Sequence, residues 1–204
     1  DIAVYKPSEY SAPLPKSFKE GSFEKYLYLP PFATDKELDL IFRIAEENGL
    51  DGVYADTTAA LYLAQEKGLK VFAGTGFNLT NSLSLNQLLS FACVSYYAIS
   101  KELSFVECLP LISEQAFALS LGDIKLMDLC YCPFEKTCKA CDRRTVYTLT
   151  DENGREFPVR RYTVEGSCRF EVYNCAALIG TGVTGTGKLL ELTVTKDKKG
   201  VVSA

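Results

Sequence analysis

Histidine is absent from the 204-residue chain, methionine occurs once, at Met127, and no apolar run approaches the roughly 20 residues of a membrane-spanning helix. Without histidine, neither a Ser–His nor a Cys–His nucleophile pair can be assembled from this chain, and zinc hydrolase sites built on imidazole are excluded. A hydrolytic base would have to be a carboxylate, a lysine or a group outside these residues, so no catalytic residue is assigned from the sequence. The N-terminus lacks the layout of a signal peptide, and no membrane partner is expected. With Asp1 as the first residue and a single internal methionine, the sequence reads as a piece of a longer protein.

Hydrophobic residues make up 47% of the chain and charged residues 24%, the balance of a soluble globular protein. The net charge of −4 is unevenly spread. Residues 1–129 carry a balance of −7, whereas residues 130–170 carry +2. That shift marks a second module able to face an anion, yet it is too mild for the basic stripe of a dedicated nucleic-acid binder.

Sulfur is what the sequence has in abundance. Six of the eight cysteines fall between positions 130 and 175, four of them in "LCYCPFEKTCKACDRR", residues 129–144. The other two, Cys93 and Cys108, stand in apolar surroundings and read as core thiols. Clustering in one region favours a metal in a reducing, cytoplasmic setting over a dispersed disulfide framework. Cys138 and Cys141 form a C-x-x-C pair, whose spacing lets two thiolates meet one ion from a tight turn. Cys132 lies six residues earlier, and a hairpin at Asn153–Gly154 could return Cys168 to the same point. Thiolates select zinc or iron–sulfur clusters, and four of them close a tetrahedral site. Lys136, Lys139, Arg143 and Arg144 would ease thiolate formation. Inert thiols or a disulfide remain the alternative reading. A redox C-x-x-C is disfavoured, because the pair follows a β module rather than opening a helix.

Along the chain, residues 1–24 contain three prolines and no helical period and read as an extended lead-in or linker. Residues 25–112 alternate strand and helix patterns. "KYLYLPPF" is β-type, and Thr34 and Glu37 stand at capping-box spacing before a helix that Gly49 closes. "DGVYAD", "LKVFAG" and "CVSYYAIS" are strands, while "TTAALYLAQEKG", "SLSLNQLLSFA" and "KELSFVECLPLI" are helices. Strand–helix alternation of this kind means βαβ units and a parallel sheet of about four strands, half of a β/α TIM-type barrel. Half a barrel exposes two sheet edges, which calls for a missing N-terminal half or another chain to cover them. Residues 113–204 form a β-rich module carrying the cysteine cluster, with a hairpin around Asn153–Gly154.

Two glycine-rich stretches resemble phosphate loops. "GVTGTGKL", Gly182–Leu189, fits G-x-x-x-x-G-K, but Leu189 replaces the required Ser or Thr and a strand pattern follows instead of a helix, so it reads as a turn. "GTGFN", Gly74–Asn78, follows a strand, where barrel enzymes place their working loops, and makes Gly74, Thr75, Gly76 and Asn78 candidate substrate-binding residues.

"YLPPFATDKELDLIFRIAEENGLDGVYAD", "AQEKGLKVFAGTGFNLTN", "GDIKLMDLCYCPF" and "YTLTDENGREFPV" together resemble the C-terminal part of peptidase family U32, the collagenase-like proteases, over about Tyr26–Leu178. The Gly-Thr-Gly-Phe-Asn loop, the Leu-Met…Cys-Pro segment and the Leu-x-Asp-x-x-Gly-x-x-Phe-Pro hairpin are its most specific pieces. The resemblance implies either a peptidase of unassigned catalytic type acting on peptide, or an iron–sulfur protein that hydroxylates RNA or a quinone precursor. In such relatives, cysteines near the end of the barrel hold a [4Fe-4S] cluster. Cys132, Cys138 and Cys141 match that segment and Cys168 is the fourth candidate ligand, with Cys130 and Cys175 as its competitors. The family's barrel begins with an N-terminal half that is not in this chain, so the piece alone is expected to be inactive. A non-catalytic binding module with a structural cysteine site is the alternative.

Overall fold

The computed structural model describes residues 1–134, 138, 141–179 and 182–194. They form two compact units. Of these, the first comprises Asp1–Lys6, Leu14–Ser120 and 182–189, and the second Pro7–Pro13, 121–134, 138, 141–179 and 190–194.

The first unit is a mixed α/β layer. Strands β1 (Ile2–Tyr5), β2 (Glu24–Leu29), β3 (Gly52–Ala55), β4 (Lys70–Ala73), β5 (Val94–Ala98) and β6 (Ala116–Gly122) stand side by side in sequence order. Every neighbouring pair among these six is parallel. A seventh strand, β11 (Gly187–Glu191), adds beyond β6. The connecting helices are α1 (Lys16–Glu20), α2 (Asp35–Glu47), α3 (Ala59–Lys67), α4 (Ser82–Leu89) and α5 (Phe105–Cys108). When strand order repeats chain order and crossovers keep one hand, the helices fall on a single face. That is the arrangement of a barrel wall rather than of a doubly wound sheet, and here it remains an open, partial barrel.

Local chemistry explains the elements. Helix α2 starts where Thr34 caps it. The Glu37 amide donates to Thr34 Oγ1 (3.4 Å), and the Glu37 carboxylate accepts from the Thr34 amide (2.7 Å). Its buried Ile41, Phe42 and Ala45 make one stripe, and the helix packs on β2 and β3. Gly68 ends α3 in the left-handed region at φ 67°, where a side chain would be strained. The opposite face of the sheet is aromatic. Tyr26, Tyr28, Tyr54 and Phe72 are buried together with Ala98, and Tyr96 and Phe117 pack against them. Phe72 sits at the centre, with ring centroids 5.0 Å from Phe117 and 5.1 Å from Tyr54.

The second unit is a four-stranded antiparallel sheet in the order β7 (Lys125–Leu129), β10 (Ser167–Tyr173), β9 (Glu156–Val164), β8 (Val146–Thr150). The expected hairpin is β8–β9, with Thr150 opposite Glu156. Gly154 takes φ 76° in its turn, and Asp151 accepts from the amides of Asn153 and Arg155. One face of the sheet buries an ion pair. Arg160 and Glu171 lie opposite each other, 3% and 0% exposed, with Nη1 and Oε2 2.7 Å apart. The Tyr173 hydroxyl donates to the same carboxylate (2.8 Å), and Arg160 also donates to the carbonyl of Pro7. Residues 7–13 belong to this unit for that reason. The Tyr10 amide donates to the Thr163 carbonyl (3.1 Å), and the Thr163 amide to the Ser8 carbonyl (3.0 Å).

Three sequence expectations need correction. Residues 1–24 are not a linker, since Ile2–Tyr5 pair with β2, Phe18 of α1 is buried, and Pro7–Pro13 join the second unit. Four residues cut off by Pro7 are too short to show alternation, and their partners lie far along the chain. The parallel run has six strands rather than about four, because β1 pairs with β2 at one end and β6 with β5 at the other (Tyr97 opposite Ala116), although residues from 113 were assigned to the β module. The buried/half-buried alternation of β6 imitates an antiparallel strand. Finally, "KELSFVECLPLI" is not one helix, since α5 gives way to a 3-10 turn at Leu109–Leu111 containing Pro110. Gly187–Glu191 is a strand, as the pattern after the glycine-rich stretch indicates.

At the start of the strands, Glu24 accepts from Tyr96 (2.6 Å), Tyr26 (3.1 Å) and Lys70 (3.3 Å). The Tyr96 hydroxyl, followed by Lys70 and Tyr26, holds the Glu24 carboxyl below its ordinary value of 4.5 against the opposing effect of burial. A carboxyl depressed in the fold contributes stability above its unfolded value and loses it as pH falls through the folded one. Urea midpoints should therefore drop on acidification below about pH 4.5 more steeply in the wild type than in Glu24→Gln. Equal slopes would show that these bonds are not felt. In the second unit, Glu171→Leu should cost about 3–5 kcal/mol in urea unfolding, because it strands a buried cation. The double variant Arg160→Met/Glu171→Leu should lose less than the sum of the single losses.

Candidate functional site

Two places gather chemistry-bearing residues, one in each unit. In the first, parallel strands deliver loops from their C-terminal ends, where open α/β sheets bind ligands. Asp56 follows β3, the Gly74–Asn78 turn follows β4 and Ser100 follows β5. The turn is a 3-10 helix, Thr75–Phe77, and Asn78 closes it in the left-handed region at φ 47°. Buried Ser100 donates to the Asn78 side-chain carbonyl, fixing that amide at the rim.

The backbone amides of the turn are occupied by the protein. Gly74 donates to the Ala55 carbonyl (2.7 Å), Thr75 to the Tyr54 hydroxyl (3.3 Å), Gly76 to Asp56 Oδ1 (2.8 Å) and Asn78 to the Thr75 carbonyl (3.1 Å). Such a turn is not an open anion cradle. Its glycines have a packing reason instead. A Cβ on Gly74 would lie 2.3 Å from Asp56 Oδ1 and 2.5 Å from the Tyr54 ring, and one on Gly76 would lie 2.4 Å from Asp56 Cβ. Glycine lets the turn close against the end of β3. Asp56 and Tyr54, which the sequence reading did not single out, thereby shape the loop that carries Thr75 and Asn78. The signal available was the Asp at the end of "DGVYAD", one βα unit before the glycines.

The second place is the face of the antiparallel sheet opposite the buried ion pair. Leu129, Val159, Phe170 and Val172 form its apolar cluster, and Cys132, Phe134, Tyr147, Phe157 and Cys168 pack against it. Phe134 stacks on Tyr147 at 4.6 Å and meets Phe170 edge-on at 6.0 Å. Cys141 joins through Tyr147, its sulfur 3.7 Å from the hydroxyl, and accepts the Arg143 amide (3.4 Å). The Tyr147 hydroxyl is pushed up by burial and by the Asp142 carboxylate, to which it donates at 2.7 Å. Arg144 pairs with Asp142 (2.5 Å).

Of the four cysteines expected to converge, Cys132 and Cys168 thus share one apolar cluster, and Cys141 bonds to a ring of that cluster. Cys138 is exposed. Among the described residues, no three Cys, Asp or Glu side chains stand grouped as a metal would require. Lys136 and Lys139, read as easing thiolate formation, lie outside the described residues. Cys130 and Cys175, the competing ligands, are exposed, and Cys175 Sγ lies 3.7 Å from the Asn174 side-chain oxygen. Cys108 is buried as expected. Cys93 is half-buried and donates to the Leu61 carbonyl (3.4 Å). Burial pushes both of these thiols up.

One polar atom on this face bears on whether a thiolate-held group fits. Arg161 lies opposite Phe170, hence on the side of the sheet that carries Cys168. Its Nε is buried and has no hydrogen-bond partner among the described residues. A buried donor of a charged group demands an acceptor. The all-sulfur donor set is of the type that selects zinc or iron–sulfur, but among the described residues its cysteines are not grouped as such a centre requires.

No protein-family model matches the chain, and no curated protein matches it. Among solved structures, it is similar to the C-terminal domain of a protein of Desulfitobacterium hafniense DCB-2 assigned as a chitinase, at 10% identity and a TM-score of 0.30, over 74% of this chain and 66% of that one. The spore cortex-lytic enzyme SleL of Bacillus megaterium QM B1551 matches at 11% identity and 0.28, over 74% and 49%. The ydhD protein of Bacillus subtilis, assigned as a sporulation-specific glycosylase, matches at 12% and 0.30, over 79% and 74%. The chain therefore spans about two thirds of the first structure and half of the second. Scores at this level carry no inference about activity. No helix among the described residues is long and apolar enough to cross a membrane.

The turn at Gly76 yields a direct test of its packing. Gly76→Ala should lower stability by about 1–3 kcal/mol in urea unfolding, the usual range for overpacking. Adding Asp56→Gly should return part of that loss, and an uncorrected loss would mean that Asp56 is not the obstacle.

Proposed function

We propose that this chain is the C-terminal part of a U32-type protein of the collagenase-like peptidase family. In this reading its partial wall is of the TIM-barrel type, and Cys132, Cys138, Cys141 and Cys168 hold a zinc ion or a [4Fe-4S] cluster. The observation that carries the reading is the shared position of Cys132 and Cys168 on one apolar cluster, with Cys141 bonded to Tyr147 of the same cluster. When bound, zinc would supply four-fold cross-linking of the module, and an iron–sulfur cluster would supply one-electron chemistry.

The chain's own residues have separable tasks. Cys132 and Cys168 anchor the group against the sheet, while Tyr147 and the Arg143 amide orient the Cys141 sulfur. At the strand ends, Thr75 and Asn78 offer polar side chains to a peptide or RNA substrate, and Asp56 is the carboxylate at that edge. Activity would need the N-terminal half of the barrel, or another chain that covers the edge strand β1.

A second reading is favoured by the apolar setting of Cys132 and Cys168. A site set into a hydrophobic cluster stabilises its module whether or not it performs redox chemistry, so a non-catalytic binding module with structural zinc accounts for the same arrangement. Anaerobic purification followed by elemental analysis and absorption spectroscopy separates the readings. One metal group per chain is expected, colourless with zinc or brown with iron and sulfide. Cys138→Ser/Cys141→Ser should abolish it, whereas Cys93→Ser should leave the stoichiometry unchanged. Full metal content in the double variant would overturn the site. Retention by Cys168→Ser would move the fourth ligand to Cys130 or Cys175.

A further inference from the structure

We propose that strand β8 is a self-association edge. Two copies of this chain pair antiparallel along β8, about a two-fold axis at Thr148, and their antiparallel sheets become one. The pairing does not depend on any group held by the cysteines.

The backbone of β8 creates the edge. In the sheet it is paired with β9 alone. The Arg161 amide donates to the Thr145 carbonyl (2.7 Å) and the Asp151 amide to the Arg155 carbonyl (3.0 Å), so the odd-numbered residues from 145 to 151 face β9. In an antiparallel ladder the residues between them turn their amides and carbonyls the other way. Those of Val146, Thr148 and Thr150 therefore point off the edge, and no backbone partner for them stands among the described residues. Natural edges are blunted by charge, proline or a bulge. The sequence Val-Tyr-Thr-Leu-Thr of β8 has no charge and no proline, and its register with β9 runs without a shift. The edge strand at the far side of the sheet, β7, carries Lys125 and Asp128.

What fits this edge is a second copy of itself. A two-fold axis at Thr148 sets Thr148 against the same residue of the second copy, Val146 against the second copy's Thr150, and Tyr147 against its Leu149. Paired threonines and aromatic–aliphatic pairs stabilise facing strands, and the exposed Val146 and Leu149 gain cover. The same axis brings the start of one strand to the end of the other. There Arg144, 72% exposed with its Nε on Asp142, meets the exposed Glu152 of the second copy, and the contact recurs at both ends. The edge is thus complementary to itself in hydrogen bonding, in side-chain pairing and in charge. Only five residues pair, so the interface is small and the dimer is weak and concentration-dependent.

The test is sedimentation equilibrium of the full chain, with reductant present so that the exposed Cys130, Cys138 and Cys175 cannot cross-link copies. Between about 1 µM and 1 mM, the mass should rise from 22.5 kDa towards twice that value. Amide hydrogen exchange at Val146, Thr148 and Thr150 should slow as the dimer forms, while Tyr147 and Leu149, already bonded to β9, should keep their protection. Arg144→Glu and Glu152→Lys should each weaken the dimer about tenfold, because each sets like charges at both ends. An equal mixture of these two variants regains opposite charges at both ends and should associate as tightly as the wild type. A mass of one chain at the highest concentration would overturn the proposal and give the edge to a different partner. A dimer whose Val146, Thr148 and Thr150 amides exchange as fast as in dilute solution would also overturn it, as would a mixture that associates no better than either variant alone.

Discussion

Arg160 and Glu171, opposite each other on adjacent strands and sealed from water, fix the register of the antiparallel sheet. In a ladder with period two, slipping one strand by one residue would turn its charge to the other face, beside Val159, Phe170 and Val172, and leave the other charge without its partner. Unpaired charges buried there would cost several kcal/mol each, so the alternative registers are closed. Everything on the opposite face follows from that choice. With register fixed, Cys168, Phe170 and Val172 alternate onto one side of β10, Val159 and Arg161 onto the same side of β9, and Tyr147 beside them from β8. The segment 7–13 closes the charged face, its Pro7 carbonyl accepting from Arg160. One ion pair thereby divides the unit into a sealed electrostatic side and a side free to carry sulfur.

The first unit is organised by the division of its sheet into a helix-covered side and an aromatic side. Strands in chain order place their helices together, and the remaining face fills with Tyr26, Tyr28, Tyr54, Phe72, Tyr96 and Phe117. Hydroxyls in such a layer need partners at its ends. Glu24 serves Tyr26 and Tyr96 where the strands begin, and the Thr75 amide serves Tyr54 where they finish. The start of the strands is thus tied up by hydrogen bonds that stabilise the wall. The finish presents Asp56, Thr75 and Asn78 on loops, the division of labour expected of a parallel β/α wall.

Periodic and capping signals were readable directly. Thr34 and Glu37 bond reciprocally as their spacing demands, Gly49 and Gly68 take positive φ after their helices, and the Asn153–Gly154 segment turns a hairpin. Strand β1 was not readable because its partner is more than twenty residues away and Pro7 cuts its pattern short. Strand β6 misled because half-burial on a sheet side imitates antiparallel alternation. At the strand-end site, the Gly-Thr-Gly-Phe-Asn turn was visible, but its glycines answer to Asp56 and Tyr54, a contact between successive βα units that spacing does not encode. On the cysteine face, the number of sulfurs was obvious from sequence. That Cys132 and Cys168 pack on one apolar cluster depends on the side of β10 that the register gives Cys168, which the spacing of the cysteines does not encode.

The central claim, that Cys132, Cys138, Cys141 and Cys168 act as one ligand set, is tested most directly by alkylating the reduced native chain before and after chelation and locating the labels by mass spectrometry. The account predicts that these four cysteines are protected together, that Cys130 and Cys175 label freely throughout, and that chelation exposes the four as a group while Cys108 stays protected by burial. Labelling of Cys138 and Cys141 at the rate of Cys130 and Cys175, unchanged by chelation, would contradict it.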